Sequence, residues 1–362
     1  MWYKTRVTEL LGIQYPIVQG PFGGGYSSAE LVAAVSNLGG MGGYGANGMQ
    51  PKDILAINTD IRQRTDKPYV INLWVDQVDE QDEFDAAHFA KLTDAYRPLF
   101  TELGVPIPER PATRENIFDQ QLEAVLEASP PAFSFIFGIP SAEALRACRQ
   151  RGILTIGNAT TVDEAIALEE AGVDLIVASG FEAGGHRPSF LRKSEESLTG
   201  TFALIPQIAS QVHTPIVAAG GVADARGVAA ALLLGASAVQ VGTAFLACQA
   251  SNASDVHRSV LFSERAKYTT LTRHFTGRLA RGTASGIART GEKEDRLIAP
   301  YPLHSSFLGP LRRAALEQGR TDLITFWAGQ NAPLIRHDKV AAVMNSLIQD
   351  VDVLLQTLLA GV

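Results

Sequence analysis

Residues 215–243 read PIVAAGGVADARGVAAALLLGASAVQVGT. An apolar run at 215–220 ends on Gly220-Gly221. A helical stretch opens at Asp224, runs to residue 234 and stops at Gly235. A second apolar run at 238–241 ends on Gly242-Thr243. Strand, helix, strand is the repeating unit of a parallel sheet, because parallel neighbours need a long crossover and a helix supplies it. Neither run alternates apolar with polar residues, as expected of strands covered on both faces.

Outward from this stretch the unit recurs. Apolar runs at 16–22, 41–46, 68–75, 132–138, 154–158 and 175–179 alternate with helical stretches at 27–38, 52–64, 141–151, 161–171 and 200–212. Ser27 or Ser28 supplies one N-cap, and Thr161-Val-Asp-Glu164 has the form of a capping box. Eight strand signals predict an α/β fold, a (β/α)8 TIM barrel, with an open doubly wound sheet as the alternative. Two stretches break the rhythm. Residues 76–131, acidic at 76–85 and proline-rich at 105–111, form an elaborated βα segment expected to hold a helix and a loop at the barrel mouth. Residues 247–296 read as a smaller inserted, mainly helical, lid-like segment. The barrel is therefore expected over 1–246, a return to its mouth over 297–332, and an amphipathic C-terminal helix within 333–362.

Composition narrows the function. Of 362 residues 46% are hydrophobic and 19% charged, enough to bury a large core and too apolar for a disordered chain. The net charge is −7 with no basic run, so the electrostatic footprint of a nucleic-acid binder is missing. Residues 1–16 have no apolar signal core. Residues 227–249 are uncharged, but Gly235, Ser237, Gln240 and Thr243 interrupt them, so they read as a buried helix and strand and not a membrane span. Cys148 and Cys248 form neither a CxxC nor a metal-ligand pair and read as packing residues in a reducing cytoplasm. No HExxH or spaced His/Asp cluster predicts a metal.

Barrel chemistry sits where strands end. There the chain places QGPFGGG (19–25), Asn72, SGFEAGGHR (179–187), AGGV (219–222) and QVGT (240–243). The bare backbone of Gly220-Gly221 and Gly242-Thr243, close to a helix N-terminus, suits a phosphate. A GxGxxG at 40–45 is strand-like and follows a helix, so it is not a dinucleotide fingerprint. Among seven histidines only His186 lies in a glycine-rich turn at a strand end, where an imidazole can take a proton near neutral pH. Glu182, four residues earlier, is placed to orient it or to pair with Arg187. His213 falls at a strand start, and His88, His257, His274 and His337 fall in polar helical contexts. Tyr301 and Trp327 are candidates to close the mouth over an aromatic ligand.

Taken together, Gln19–Gly25, Asn72, Gly180–Arg187, Ala219–Val222, Gln240–Thr243 and Trp327-Ala-Gly-Gln330 resemble the class I nitronate monooxygenase (2-nitropropane dioxygenase) family, in the family's order. The resemblance implies a TIM barrel with a smaller inserted domain that holds FMN non-covalently. It implies oxidation of alkyl nitronates, such as propionate 3-nitronate, by O2 to a carbonyl compound and nitrite. It also assigns roles. Gly221, Gly242 and Thr243 would hold the FMN phosphate. Asn72, Ser179 and Gly184 would contact the flavin or its ribityl chain, with Gly20, Pro21, Gly220, Gln240 and Val241 completing the cofactor site. His186 would be the base for neutral nitroalkanes, and Phe22, Tyr301 and Trp327 would face the substrate. Alternatives on the same barrel are an FMN-dependent NAD(P)H:quinone or enoyl-acyl-carrier-protein reductase, and a non-catalytic flavin- or phosphate-binding protein. A cytoplasmic location and a homodimer are compatible with this reading, with no nucleic-acid or membrane partner.

Overall fold

The computed structural model describes residues 1–79, 84–112, 115–287 and 298–360. Strands are numbered along the chain as β1 (Ile17–Gln19), β2 (Gly42–Gly45), β3 (Tyr69–Trp74), β4 (Ala132–Ile136), β5 (Leu154–Ala159), β6 (Leu175–Ser179), β7 (Gly185–His186), β8 (Ile216–Ala219) and β9 (Ala238–Val241). All but β7 form one parallel sheet in the order β1-β9-β8-β6-β5-β4-β3-β2, and a parallel bridge between Val18 and Met41 joins its ends into a barrel. The predicted seventh and eighth strands are β8 and β9.

The alternation of the pleat decides what fills the barrel. Val18, Met41, Val70, Ala132, Ile156, Leu175, Val177, Val217 and Ala238 point inward, and Val7 and Leu11 of the helix Arg6–Leu11 pack beneath them. The outward residues, among them Ile17, Ile71, Phe133, Ile176, Ile216 and Val239, pack against the surrounding helices. Gly42 shows how close that contact is: a Cβ there would lie 2.1 Å from the Val32 carbonyl oxygen on the neighbouring helix. The 40–45 glycine motif is strand β2 and its approach, not a strand-to-helix turn.

Helix starts follow their capping residues. Ser28 accepts from Leu31 N at 2.9 Å, and Asp224 from Arg226 N at 3.0 Å. Thr161 accepts from Glu164 N, but the expected box is only half made. The Glu164 carboxylate turns instead to Thr160 and to the Phe190 and Leu191 amides, tying down the loop after β6.

Three segments differ from the sequence reading. The described part of 76–131 holds two helices, Ala86–Glu102 and Phe118–Ala128; the second is the crossover into β4. The described part of 247–296 contains the helix Asp255–Leu261 and an antiparallel hairpin, β10 (Thr269–Thr272) and β11 (Ala280–Thr283); residues 288–296 lie outside the described residues. The C-terminal stretch is two helices, Val340–Ile348 and Val351–Ala360, because Asp350 between them takes a left-handed φ of 72°. A second core gathers Phe84, Leu92, Tyr96 and Phe100 with Phe275, Phe307, Leu311 and Phe326. Among the described residues no helix is long and apolar enough to cross a membrane.

Candidate functional site

Above the apolar interior the strand ends carry polar side chains. Asn72 Nδ2 donates to Ser134 Oγ at 3.0 Å across β3 and β4, and Gln19 Oε1 accepts from Gly43 N at 2.9 Å. Ser179 ends β6 beside Ala219 of β8, and Gln240 of β9 shares an interior cavity with Ser134. Asn158 on β5 is buried, and its Oδ1 has no hydrogen-bond partner. A buried unpaired carbonyl is costly, so this oxygen calls for a donor that the described residues do not supply.

The tips of β8 and β9 are open. Gly220 and Gly221 have φ of 102° and 73°, which only glycine adopts without strain. A Cβ on Gly221 would meet nothing nearer than 3.7 Å, and one on Gly242 nothing nearer than the Phe22 ring at 3.9 Å. Gly20 N donates to Val241 O at 2.9 Å, and Pro21 follows beside Gly43, so the β1 end completes the same arc. Residues 327–331 lap over it. Gly329 N donates to Thr243 Oγ1 at 2.9 Å, Gln330 N to Glu182 O at 2.9 Å, and Asn331 Nδ2 to Gly221 O. Gly184 packs so closely beneath this segment that a Cβ on it would lie 2.7 Å from Gly329 N. Gly20, Pro21, Gly184, Gly220, Gly221, Val241, Gly242 and Thr243 are thus brought together, with Phe22 on the same side, while Asn72 lies across the mouth.

His186 reaches the mouth by a different route. The chain leaves β6 and forms β7, which pairs antiparallel with β11 (Gly185 with Arg281, His186 with Ala280). The imidazole is walled by rings at centroid distances of 5.0 Å (Trp74), 5.5 Å (Trp327), 6.0 Å (Tyr301) and 6.4 Å (Phe137). Its Nε2 lies 3.0 Å from Thr276 Oγ1. Burial pushes the imidazole down to about 3, and the neighbouring Arg278 guanidinium adds to the shift, so the ring is neutral at pH 7. Arg278 stacks on Phe137 at 4.3 Å and Tyr301 at 4.9 Å and is ion-paired to Asp79 at 2.7 Å.

Glu182 neither orients His186 nor pairs with Arg187. Its carboxylate caps the helix Thr201–Ala209, accepting from Thr201 N at 2.9 and 3.0 Å and from Thr201 Oγ1 at 2.9 Å. Gly200 at that helix's N-cap has no side chain to do this. Arg187 is buried and donates to the carbonyls of Ser179, Thr160 and Ser197, holding the loop to the β6 end. His257 does lie in a helix, Asp255–Leu261, but is buried there, and His274 is buried between β10 and β11 outside any helix: His257 Nε2 contacts Trp327 O at 3.0 Å, and His274 O contacts His304 Nε2 at 3.0 Å. Burial pushes the Cys148 thiol up to about 11 and Cys248 to about 12, so neither is a nucleophile at neutral pH.

Sequence reasoning did not single out Trp74, Phe137, Ser134, Asn158, Thr276 or Arg278. Asn158 could have been found, since it closes the predicted fifth strand and the strand-end rule applied there too. Thr276 and Arg278 lie in a stretch without periodicity, and only the β7–β11 pairing brings them to His186. Among the described residues no His, Cys, Asp or Glu cluster could hold a metal.

Comparisons with known proteins show the family and the fold. A family model described as nitronate monooxygenase matches residues 4–350. A probable nitronate monooxygenase of Staphylococcus aureus (strain Newman) is 36% identical over 357 residues, covering 98% of this chain and 99% of the relative. The crystal structure of a nitroalkane oxidase from Streptomyces ansochromogenes superposes with a TM-score of 0.88 at 31% identity, covering 97% of this chain and 99% of the other. FabK from Thermotoga maritima superposes at 0.76 with 27% identity, covering 99% of each chain. Barrel, glycine-tipped strands and ring-walled histidine therefore sit in a chain that belongs to the nitronate monooxygenase family, a family of oxidoreductase enzymes.

Proposed function

We propose that this chain holds FMN at the mouth of the barrel and oxidises alkyl nitronates, such as propionate 3-nitronate, with O2 to a carbonyl compound and nitrite, disposing of nitroalkanes. One observation carries the reading: residues 327–331 touch both halves of the site. Trp327 flanks His186, and Gly329 is bonded to Thr243, so the neutral imidazole and the glycine-tipped strands open on one mouth.

The residues present fit the cofactor. The space over Gly221 and Gly242 suits a phosphate met by backbone N–H groups and the Thr243 hydroxyl, and the unpaired Asn158 Oδ1 awaits a donor. Asn72, Ser179, Gly184 and Gln240 would border the ribityl chain and ring system. FMN, when bound, supplies the electron sink and the reaction with O2. His186, uncharged at neutral pH, takes the proton from the carbon bearing the nitro group of a neutral nitroalkane; a nitronate has already lost it. Trp74, Phe137, Tyr301 and Trp327 keep water from that transfer.

The test is reduction of the bound flavin without oxygen by propionate 3-nitronate against NADH, with nitrite measured after air is admitted. Bleaching by the nitronate with nitrite release is expected. Fast bleaching by NADH with no nitrite would instead favour an NAD(P)H-dependent reductase on the same barrel.

A further inference from the structure

We propose that Thr276 is a positioning residue that fixes the tautomer of His186, keeping the ring hydrogen on Nε2 and leaving Nδ1 as the proton acceptor. The acceptor role rests on the function proposed above; the tautomer does not.

The argument counts hydrogens. A threonine hydroxyl has one hydrogen to give. Thr276 Oγ1 lies 3.0 Å from His186 Nε2 and 3.2 Å from the Arg278 carbonyl oxygen, and it accepts from Arg278 N at 3.3 Å. Arg278 is buried, and among the described residues no other hydrogen bond reaches its carbonyl. That carbonyl therefore claims the hydroxyl hydrogen, since the alternative leaves a buried acceptor empty. What Oγ1 then turns to the imidazole is a lone pair, and Nε2 must be the N–H. Among the described residues the His186 ring is hydrogen-bonded through Nε2, to Thr276.

The parts of this relay are fixed. Arg278 is held by Asp79 at 2.7 Å and by the Asp76 carbonyl at 2.9 Å, and the turn behind Thr276 is closed by Gly277 N donating to Arg273 O at 2.8 Å. The His186 backbone is paired to β11, and four aromatic rings restrict its side chain. A ring flip or tautomer change would have to break these contacts.

The experiment is 15N NMR of FMN-loaded protein labelled in its histidine rings, with His186→Asn assigning the signal. Wild type should show hydrogen on Nε2, and Thr276→Val a loss of that single tautomer. In the same variant kcat/KM for a neutral nitroalkane should fall by about ten- to a hundredfold while that for the matching nitronate holds, and Thr276→Ser should restore both properties. Hydrogen on Nδ1 in the wild type would overturn the proposal. So would a Thr276→Val protein that keeps both the Nε2–H signal and full nitroalkane turnover. Should Thr276→Val not fold, the wild-type and Thr276→Ser spectra still decide the tautomer. If His186→Asn spares nitroalkane turnover, the base reading fails on its own, and the spectra still judge the role of Thr276.

Discussion

His186 combines two properties: it lies among aromatic rings, and it carries no acidic partner among the described residues. Desolvation keeps it uncharged, which readies it to accept a proton but limits its strength as a base. The negative charge that develops on the nitro group as a neutral nitroalkane gives up its proton would favour the charged imidazole and restore part of that strength. His186→Asn should lower kcat/KM for neutral nitroalkanes by about 10²- to 10⁴-fold and that for nitronates far less, compared in steady state on each pair. Equal losses on both would show that the ring only shapes the pocket. Gly221 allows a second test. Its φ of 73° and the open space above it mean that Gly221→Ala both strains the turn, by about 1–2 kcal/mol, and puts a methyl group where a phosphate would lie. Fluorescence titration should show FMN binding weakened by about tenfold or more, since about 1.4 kcal/mol is a tenfold change. Unchanged affinity would move the phosphate elsewhere.

At the scale of elements, the loop after β6 does most of the positioning. Arg187 fastens it to three carbonyls, Glu164 holds its far side at Phe190 and Leu191, and β7 docks it on β11. Glu182 ties the same loop to the helix Thr201–Ala209. Glu182→Ala should therefore cost about 1–2 kcal/mol, as lost helix caps do, read as a lower urea midpoint. The pH profile on neutral nitroalkanes should keep its shape. A displaced profile with unchanged stability would return Glu182 to the role of orienting His186.

For the whole molecule, three histidines that the fold desolvates, His186, His257 and His304, link folding to pH. Burial pushes both His186 and His304 down to about 3, from an ordinary value of 6.5. A histidine depressed in the folded state takes up protons more readily when unfolded. Its contribution is complete above about 6.5 and is lost as pH falls from there toward 3. Each such group adds about 1.4 kcal/mol per pH unit to the slope within that window. Urea denaturation at a series of pH values should show stability falling below pH 6.5, and His304→Gln should flatten the slope by about one proton's share. A slope unaltered by that substitution would mean that His304 charges without penalty in the native protein. His304 belongs to the second core, built from residues before β4 and after β9, so the test reports on a part of the molecule separate from the barrel.

The sequence by itself determined the barrel, because continuous apolar runs ending on glycines and alternating with capped helices are local signals, and local chemistry enforces them. It also located most of the glycine arc, since strand ends converge once the barrel is assumed. What the tertiary structure alone decided is where side chains turn after the regular elements stop. Glu182 and Glu164 were each four residues or fewer from an obvious partner, yet both reach across to backbone N–H groups that had no other acceptor. Thr276 and Arg278 meet His186 from about ninety residues away because β11 pairs with β7. Such long-range pairings are set by which buried polar atoms would otherwise go unsatisfied, a condition that spacing along the chain does not record.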